Sequence, residues 1–105
     1  MIGKGAEVDA RDFNGRTALM FASTGPFAET VRLLLKSGAD PNAVDKNERF
    51  TALMHAAAEG QMEVVRILLE HGADQSVRDI DGDTAETFAR QKGHLSVANY
   101  IRDYK

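Results

Sequence analysis

The chain has 105 residues, 43% of them hydrophobic, with no cysteine and a net charge of −3 at pH 7. This length suits a single domain, no apolar run approaches the roughly 18 residues of a membrane span, and disulfides and thiolate metal sites are excluded. The scattered basic residues argue against nucleic acid or an anionic membrane as partner, and without an apolar leader we expect an intracellular, cytoplasmic protein.

An eight-residue phrase returns three times along the chain. It reads GAEVDARD at 5–12, GADPNAVD at 38–45 and GADQSVRD at 72–79, so its first glycines lie 33 and 34 residues apart. A second phrase follows each copy: TALM at 17–20, TALM again at 51–54, and TAET at 84–87. A fixed period of this length predicts a solenoid, in which each unit is too thin to bury its apolar face alone.

Each unit begins with a predicted short helix. Thr17, Thr51 and Thr84 precede short, alanine-containing stretches, and a threonine hydroxyl at this position accepts a hydrogen bond from the first helical turn. We expect these helices to stop near Gly25-Pro26, Gly60 and Gly93, since glycine tolerates a left-handed backbone and proline cannot continue a helix.

A longer second helix follows in each unit. In the middle unit the apolar residues are spaced to cover one side of a helix: Val64, Val65, Ile67, Leu68 and Leu69. Glu29 and Glu63 stand where the positive end of the helix dipole favours a carboxylate. Gly38 and Gly72 are the predicted residues that end these helices.

Residues 51–74, TALMHAAAEGQMEVVRILLEHGAD, resemble the ankyrin repeat, and 12–43 match it nearly as well. The resemblance implies an all-α ankyrin-repeat solenoid of stacked helix–turn–helix pairs joined by β-hairpin-like loops. Within a single domain, 1–105, it predicts the tail of a preceding repeat at 1–11, repeats at 12–44 and 45–78, and a C-terminal capping repeat at 79–105.

Three departures from the family pattern predict local differences. Alanine replaces the family's helix-starting proline in all three units, and its histidine is replaced at Met20, Met54 and Thr87. In the family this histidine usually makes hydrogen bonds in the connection between repeats, and we expect methionine not to replace them. One extra residue before Thr51 places Glu48 or Arg49 at the glycine position of the hairpin, so this tip should differ from its neighbours.

The residue types that could support metal binding or catalysis lack the necessary arrangement. His55, His71 and His94 have no metal-ligand spacing, and no serine has a placed His–Asp partner. Asp79, Asp81 and Asp83 begin like a calcium loop, but Arg90 stands where the bidentate glutamate belongs. We therefore expect no metal, no cofactor and no enzymatic activity.

The resemblance implies a non-catalytic protein–protein interaction module that grips another protein with its hairpin tips and first helices. The residues that it places on this surface are Phe13, Asn14, Arg16, Lys46, Arg49, Phe50, Glu59, Ile80, Asp81 and Asp83. Phe13, Phe50 and Ile80 are apolar where turns are normally polar. They either form binding hot spots or pack between neighbouring hairpins, and the sequence favours neither.

Two alternatives concern the chain's context. It is either an independent binding module or a regulatory or scaffolding fragment of a larger, possibly enzymatic, polypeptide that docks within that polypeptide. The first unit is as apolar as the middle one, which predicts an open face for self-association or further repeats, formed by whichever of these residues face away from the stack: Leu19, Phe21, Val31, Leu33 and Leu34. Glu86, Arg90 and Arg102 make the third unit polar, as a terminal repeat requires.

Overall fold

The computed structural model describes residues 8–104, and six helices lie wholly within this range. The predicted tail of a preceding repeat falls largely on residues 1–7, outside the described part. The helices are α1 (Ala18–Ala22), α2 (Ala28–Lys36), α3 (Ala52–Ala58), α4 (Met62–Glu70), α5 (Ala85–Gln91) and α6 (Leu95–Asp103). Between residues 8 and 104 the structure contains no strand, and a backbone hydrogen bond closes each hairpin-like loop, from the amides of Asp12, Asp45 and Asp79 to the carbonyls of Arg16, Phe50 and Asp83.

The helices form two layers of a stack. Each short helix pairs with the long helix that follows it, α1 and α5 flank α3, and α2 and α6 flank α4. The short helices α3 and α5 pack together and carry small buried side chains, among them Ala56, Ala57, Ala85 and Ala89. This arrangement confirms the all-helical solenoid, because each unit buries its apolar surface against a neighbour.

The three predicted threonine caps are confirmed. The hydroxyls of Thr17, Thr51 and Thr84 accept hydrogen bonds from backbone amides three residues later, at 3.2–3.4 Å. In the middle unit the Thr51 amide also donates to the sulfur of Met54, at 3.5 Å. This bond to a weakly accepting sulfur lies within the unit, so the expectation that methionine does not replace the histidine's hydrogen bonds between repeats stays a prediction.

The predicted end of the short helix is confirmed at the glycine of the second and third units and is wrong in the first unit. Gly60 and Gly93 follow α3 and α5 with φ of 70° and 82°. In contrast, α1 ends at Ala22, before Gly25-Pro26, and the hydroxyl of Ser23 donates to the carbonyl of Leu19 at 2.7 Å. Pro26 holds the position of Gly60, and because its ring fixes φ near −65° it cannot form the same left-handed ending.

The core lies between the two layers. All five predicted apolar residues of α4 are buried, and Gly38 and Gly72 end α2 and α4 with φ of 101° and 94°. Leu33 is 54% exposed, whereas Ile67, at the same position one unit later, is 1% exposed. The difference follows from α2 and α4 packing together: Ile67 is covered, but the side of α2 that carries Leu33 has no covering helix among the described residues.

The third unit has polar side chains at the three positions that the sequence analysis singled out, residues 86, 90 and 102. Glu86 and Arg90 form an ion pair of 2.7 Å along α5, and the Arg102 guanidinium bonds Asp103. Arg90 and Arg102 are exposed, in contrast to the buried Ala57 and Leu69 at the same positions of the middle unit.

Candidate protein-binding surface

Three turns project from the stack, each built around one aspartate: tip 1 (residues 12–16), tip 2 (residues 45–50) and tip 3 (residues 79–83). In tip 1, Oδ1 of Asp12 accepts from the amides of Asn14 and Arg16, at 2.9 and 2.8 Å. In tip 3, Oδ1 of Asp79 does the same for residues 81 and 83. A carboxylate that satisfies two turn amides fixes the backbone, because the charge strengthens both hydrogen bonds.

Tip 2 contains the extra residue and differs as expected. Oδ1 of Asp45 accepts from the amides of Glu48 and Arg49, at 2.8 and 2.9 Å. Arg49, rather than Glu48, occupies the glycine position and has a φ of 63°. Asp45 is only 3% exposed, so its carboxylate is an internal support of the turn.

Hydrogen bonds tie each tip to the next. The Lys46 amide donates to the carbonyl of Asn14 at 3.1 Å, and the Ile80 amide donates to the carbonyl of Glu48 at 2.9 Å. Nη1 of Arg11 adds a second link, since it bonds the carbonyls of Gly15 and Val44 at 2.7 Å each. The three tips therefore form one connected row, whose backbone is held in place without a partner.

Nine of the ten predicted surface residues lie on this row, and the tenth, Glu59, caps the C-terminal end of α3, opposite the end that follows tip 2. Phe13 is 92% exposed and Ile80 64% exposed, and Lys46, Arg49, Asp81 and Glu59 are exposed as well. Asn14, Arg16 and Asp83 are half-buried. Their proximity is a result of the tip-to-tip bonds, while their role in binding stays a prediction.

Phe50 behaves differently from the other two apolar tip residues. Its ring meets His55 edge-on at 5.6 Å between ring centroids and Phe88 at 5.4 Å, and the side chain is half-buried. Phe50 therefore contacts rings of the second and third units while staying partly accessible, and its role in binding stays a prediction. Phe13 and Ile80 are the more exposed of the three.

The histidines occupy packing and helix-end positions. The ring of His94 lies over Gly60, where an added Cβ would come within 2.7 Å of Nδ1, and Nδ1 of His71 lies 2.9 Å from the carbonyl oxygen of Ile67. Nε2 of His55 is buried and has no hydrogen-bond partner among the described residues.

The pKa of His55 is lowered from its ordinary value, chiefly by burial and secondly by the Arg16 charge. The carboxylates of Asp45 and Glu59 act in the opposite direction. Burial prevails because it removes the water that would stabilise the imidazolium. His55 is therefore a neutral group at neutral pH.

Nothing in residues 8–104 brings three metal-ligating side chains together. The first carboxylate of the calcium-like turn, Asp79, already serves two backbone amides through Oδ1. Within the described part of the chain, no helix combines the length and apolarity that crossing a membrane requires.

Sequence reasoning missed the residues that hold the surface together. The signal for Asp12, Asp45 and Asp79 was present, because an aspartate recurs in this column of all three units. Arg11 was not recognisable in this way, since its counterparts are Val44 and Arg78 and only the structure shows it bridging two tips.

The family model described as ankyrin repeats (3 copies) matches residues 27–105, three quarters of the chain. No curated protein matches the sequence.

Proposed function

Because this chain belongs to the ankyrin-repeat family, whose members generally act as protein–protein interaction modules, we propose that it binds another protein through the row of tips 1 to 3. We also propose that the chain acts without catalysis, since the family is typically non-catalytic. Phe13 and Ile80 provide the two apolar contacts, and the charged residues between them provide specificity.

The observation that supports this surface best is the exposure of large apolar side chains on a fixed backbone. Phe13 and Ile80 are mostly open to solvent, while the amides at the tips are bonded to aspartates and to neighbouring tips. A partner therefore buries these side chains without first ordering the loops, which lowers the entropic cost of association. Aromatic side chains in such positions commonly dominate binding energy.

The test compares capture of proteins from extracts of the source organism by three immobilised samples. These are the wild type, the double variant Phe13→Ala/Ile80→Ala, and Leu95→Ala, which removes an apolar side chain that is 55% exposed at the start of α6. Exposed substitutions change stability by only about 0.5 kcal/mol, so folding should be preserved in all three.

We expect one set of proteins to be retained equally by the wild type and Leu95→Ala. The amount of this set retained by the double variant should be at least about tenfold lower, as expected for the loss of two modest hot spots. Equal retention by all three samples would contradict binding through the tips. The same set can be identified by quantitative mass spectrometry.

A further inference from the structure

A small pocket opens on the short-helix layer between the second and third units. It has a volume of about 40 Å3, and its walls are Phe50, Met54, His55, Ala58 and Phe88. Four of these five side chains are apolar, and Nε2 of the imidazole is itself inaccessible to solvent. The pocket therefore offers an incoming group apolar contacts rather than hydrogen bonds.

The pocket exists because Ala58 is small. The equivalent residues of the first and third units are Thr24 and Gln91, which are larger. The walls are firm, since Phe50 meets both neighbouring rings edge-on and Met54 is 2% exposed. A preformed apolar recess of this kind is suited to one side chain of a partner.

Its size selects the type of side chain. An engineered cavity that holds a benzene ring measures about 150 Å3, so an open recess of about 40 Å3 is small beside it and admits the end of a compact aliphatic side chain.

The charge around the pocket indicates which partner residue lies next to the aliphatic side chain. Over tip 2, tip 3, Glu59 and the nearby Arg16, carboxylates outnumber basic side chains six to three. Glu59 directly follows Ala58. Its carboxylate and that of Asp45 are close enough to raise the pKa of His55, and the Arg16 guanidinium is close enough to lower it. No ion pair among the described residues engages Glu59, Asp81 or Asp83. A basic partner residue complements this surface.

We propose that the pocket takes one aliphatic side chain of the partner protein, and that a lysine or arginine next to it in the partner meets the surrounding carboxylates. This proposal rests on the proposed function and specifies the chemistry of the partner. It adds a third contact, between units, to the two exposed apolar residues of the tips.

The first test uses three small probes of one shape: isobutylamine, isobutanol and isobutyrate. Each is titrated into 15N-labelled protein at constant ionic strength and pH, and the amide shifts of Ala58 and Phe88 are followed. We expect saturable shifts that require several-fold less isobutylamine than isobutanol, and more isobutyrate than either. Absence of saturable shifts, or equal behaviour of the three probes, would overturn the proposal.

Ala58→Leu serves as the blocked variant, because its side chain fills the pocket from within. Ala58→Gln is a second one, which places in the middle unit the residue that stands at this position in the third. Both are checked for an unchanged circular dichroism spectrum and an unchanged set of distant amide signals. In a variant that passes this check, loss of the probe shifts supports the pocket, and probe shifts equal to those of the wild type overturn the proposal.

A second test separates this inference from the proposed function. Random twelve-residue peptides displayed on phage are selected on the wild type and measured against Ala58→Leu and Phe13→Ala/Ile80→Ala. We expect enriched peptides with an aliphatic residue beside a lysine or arginine, whose affinity falls at least tenfold on Ala58→Leu. Peptides that bind Ala58→Leu as tightly as the wild type but fail on the tip variant would overturn the pocket and leave the tips as the binding surface.

Discussion

Arg49 and Gly15 hold the same left-handed turn position, with φ of 63° and 78°, in tips that differ by one inserted residue. The amides around this position bond Asp45 in tip 2 and Asp12 in tip 1. The aspartate therefore imposes the turn even on a residue whose Cβ disfavours it.

The strain at Arg49 gives a stability prediction. Arg49→Gly should raise the free energy of unfolding by up to about 1 kcal/mol, because glycine adopts a positive φ without the steric cost. The gain is limited because glycine has more conformational freedom to lose from the unfolded chain. Chemical denaturation measures the change. Arg49→Ala is the matched control, since it removes the guanidinium but keeps a Cβ, and a gain in this variant would mean that charge and not backbone strain was responsible.

Asp45 should be the most sensitive residue of the tips. Asp45→Ala leaves the amides of Glu48 and Arg49 without their acceptor, which should cost about 2 kcal/mol, as expected for hydrogen bonds to a charged group. Asp45→Asn keeps an acceptor oxygen and should cost less. Asp40→Ala, which removes an exposed aspartate that bonds only one local amide, is the comparison in urea denaturation. Equal losses in the two alanine variants would show that burial of Asp45 is unimportant.

His55 should make stability depend on pH. Its pKa is lowered in the folded protein, so an unfolded chain takes up a proton near pH 6.5 that the folded chain does not. The contribution of neutral His55 is thus fully present above pH 6.5, and the free energy of unfolding should fall as the pH drops below that value.

His55→Phe isolates this effect, since phenylalanine stands at the same position in the other two units, at 21 and 88. Denaturation curves between pH 5 and 8 should show a shallower decline for the variant than for the wild type. Parallel pH profiles would mean that protonation of His55 does not couple to folding, because the other titrating groups are common to both proteins.

The first unit should open more readily than the second. Helix α1 has five residues and Leu33 is 54% exposed, whereas α3 and α4 have neighbours on both sides. Since stability in a repeat array is largely nearest-neighbour coupling, amides of 18–37 should exchange at least about tenfold faster than those of 52–71, a difference of about 1.4 kcal/mol.

The exchange is measured on a dilute sample shown by light scattering to be monomeric. If copies associate through Leu33, protection of residues 18–37 should rise with protein concentration in the wild type and not in Leu33→Gln. Equal protection of both units in the dilute monomer would indicate that the first unit is covered in a way that the exposure of Leu33 does not reveal.

The sequence determined the features whose chemistry lies within one turn of chain. The caps at Thr17, Thr51 and Thr84, the glycine endings at 38 and 72, and the apolar face of α4 all follow from residues three or four positions apart, and all are confirmed. The single failure, at Gly25-Pro26, arose because a proline had replaced the glycine that ends the other short helices, and the local bonds of Ser23 ended α1 earlier.

The tertiary structure decided what the surface consists of. Phe13 and Phe50 are both aromatic tip residues, yet one is open and the other is packed, because Phe50 meets a ring of the next unit, Phe88, 38 positions along the chain. The pocket at Ala58 and the bridge made by Arg11 likewise depend on side chains contributed by adjacent units. Local propensity does not encode which side chains meet across a stack, so the binding surface emerges only when the units pack.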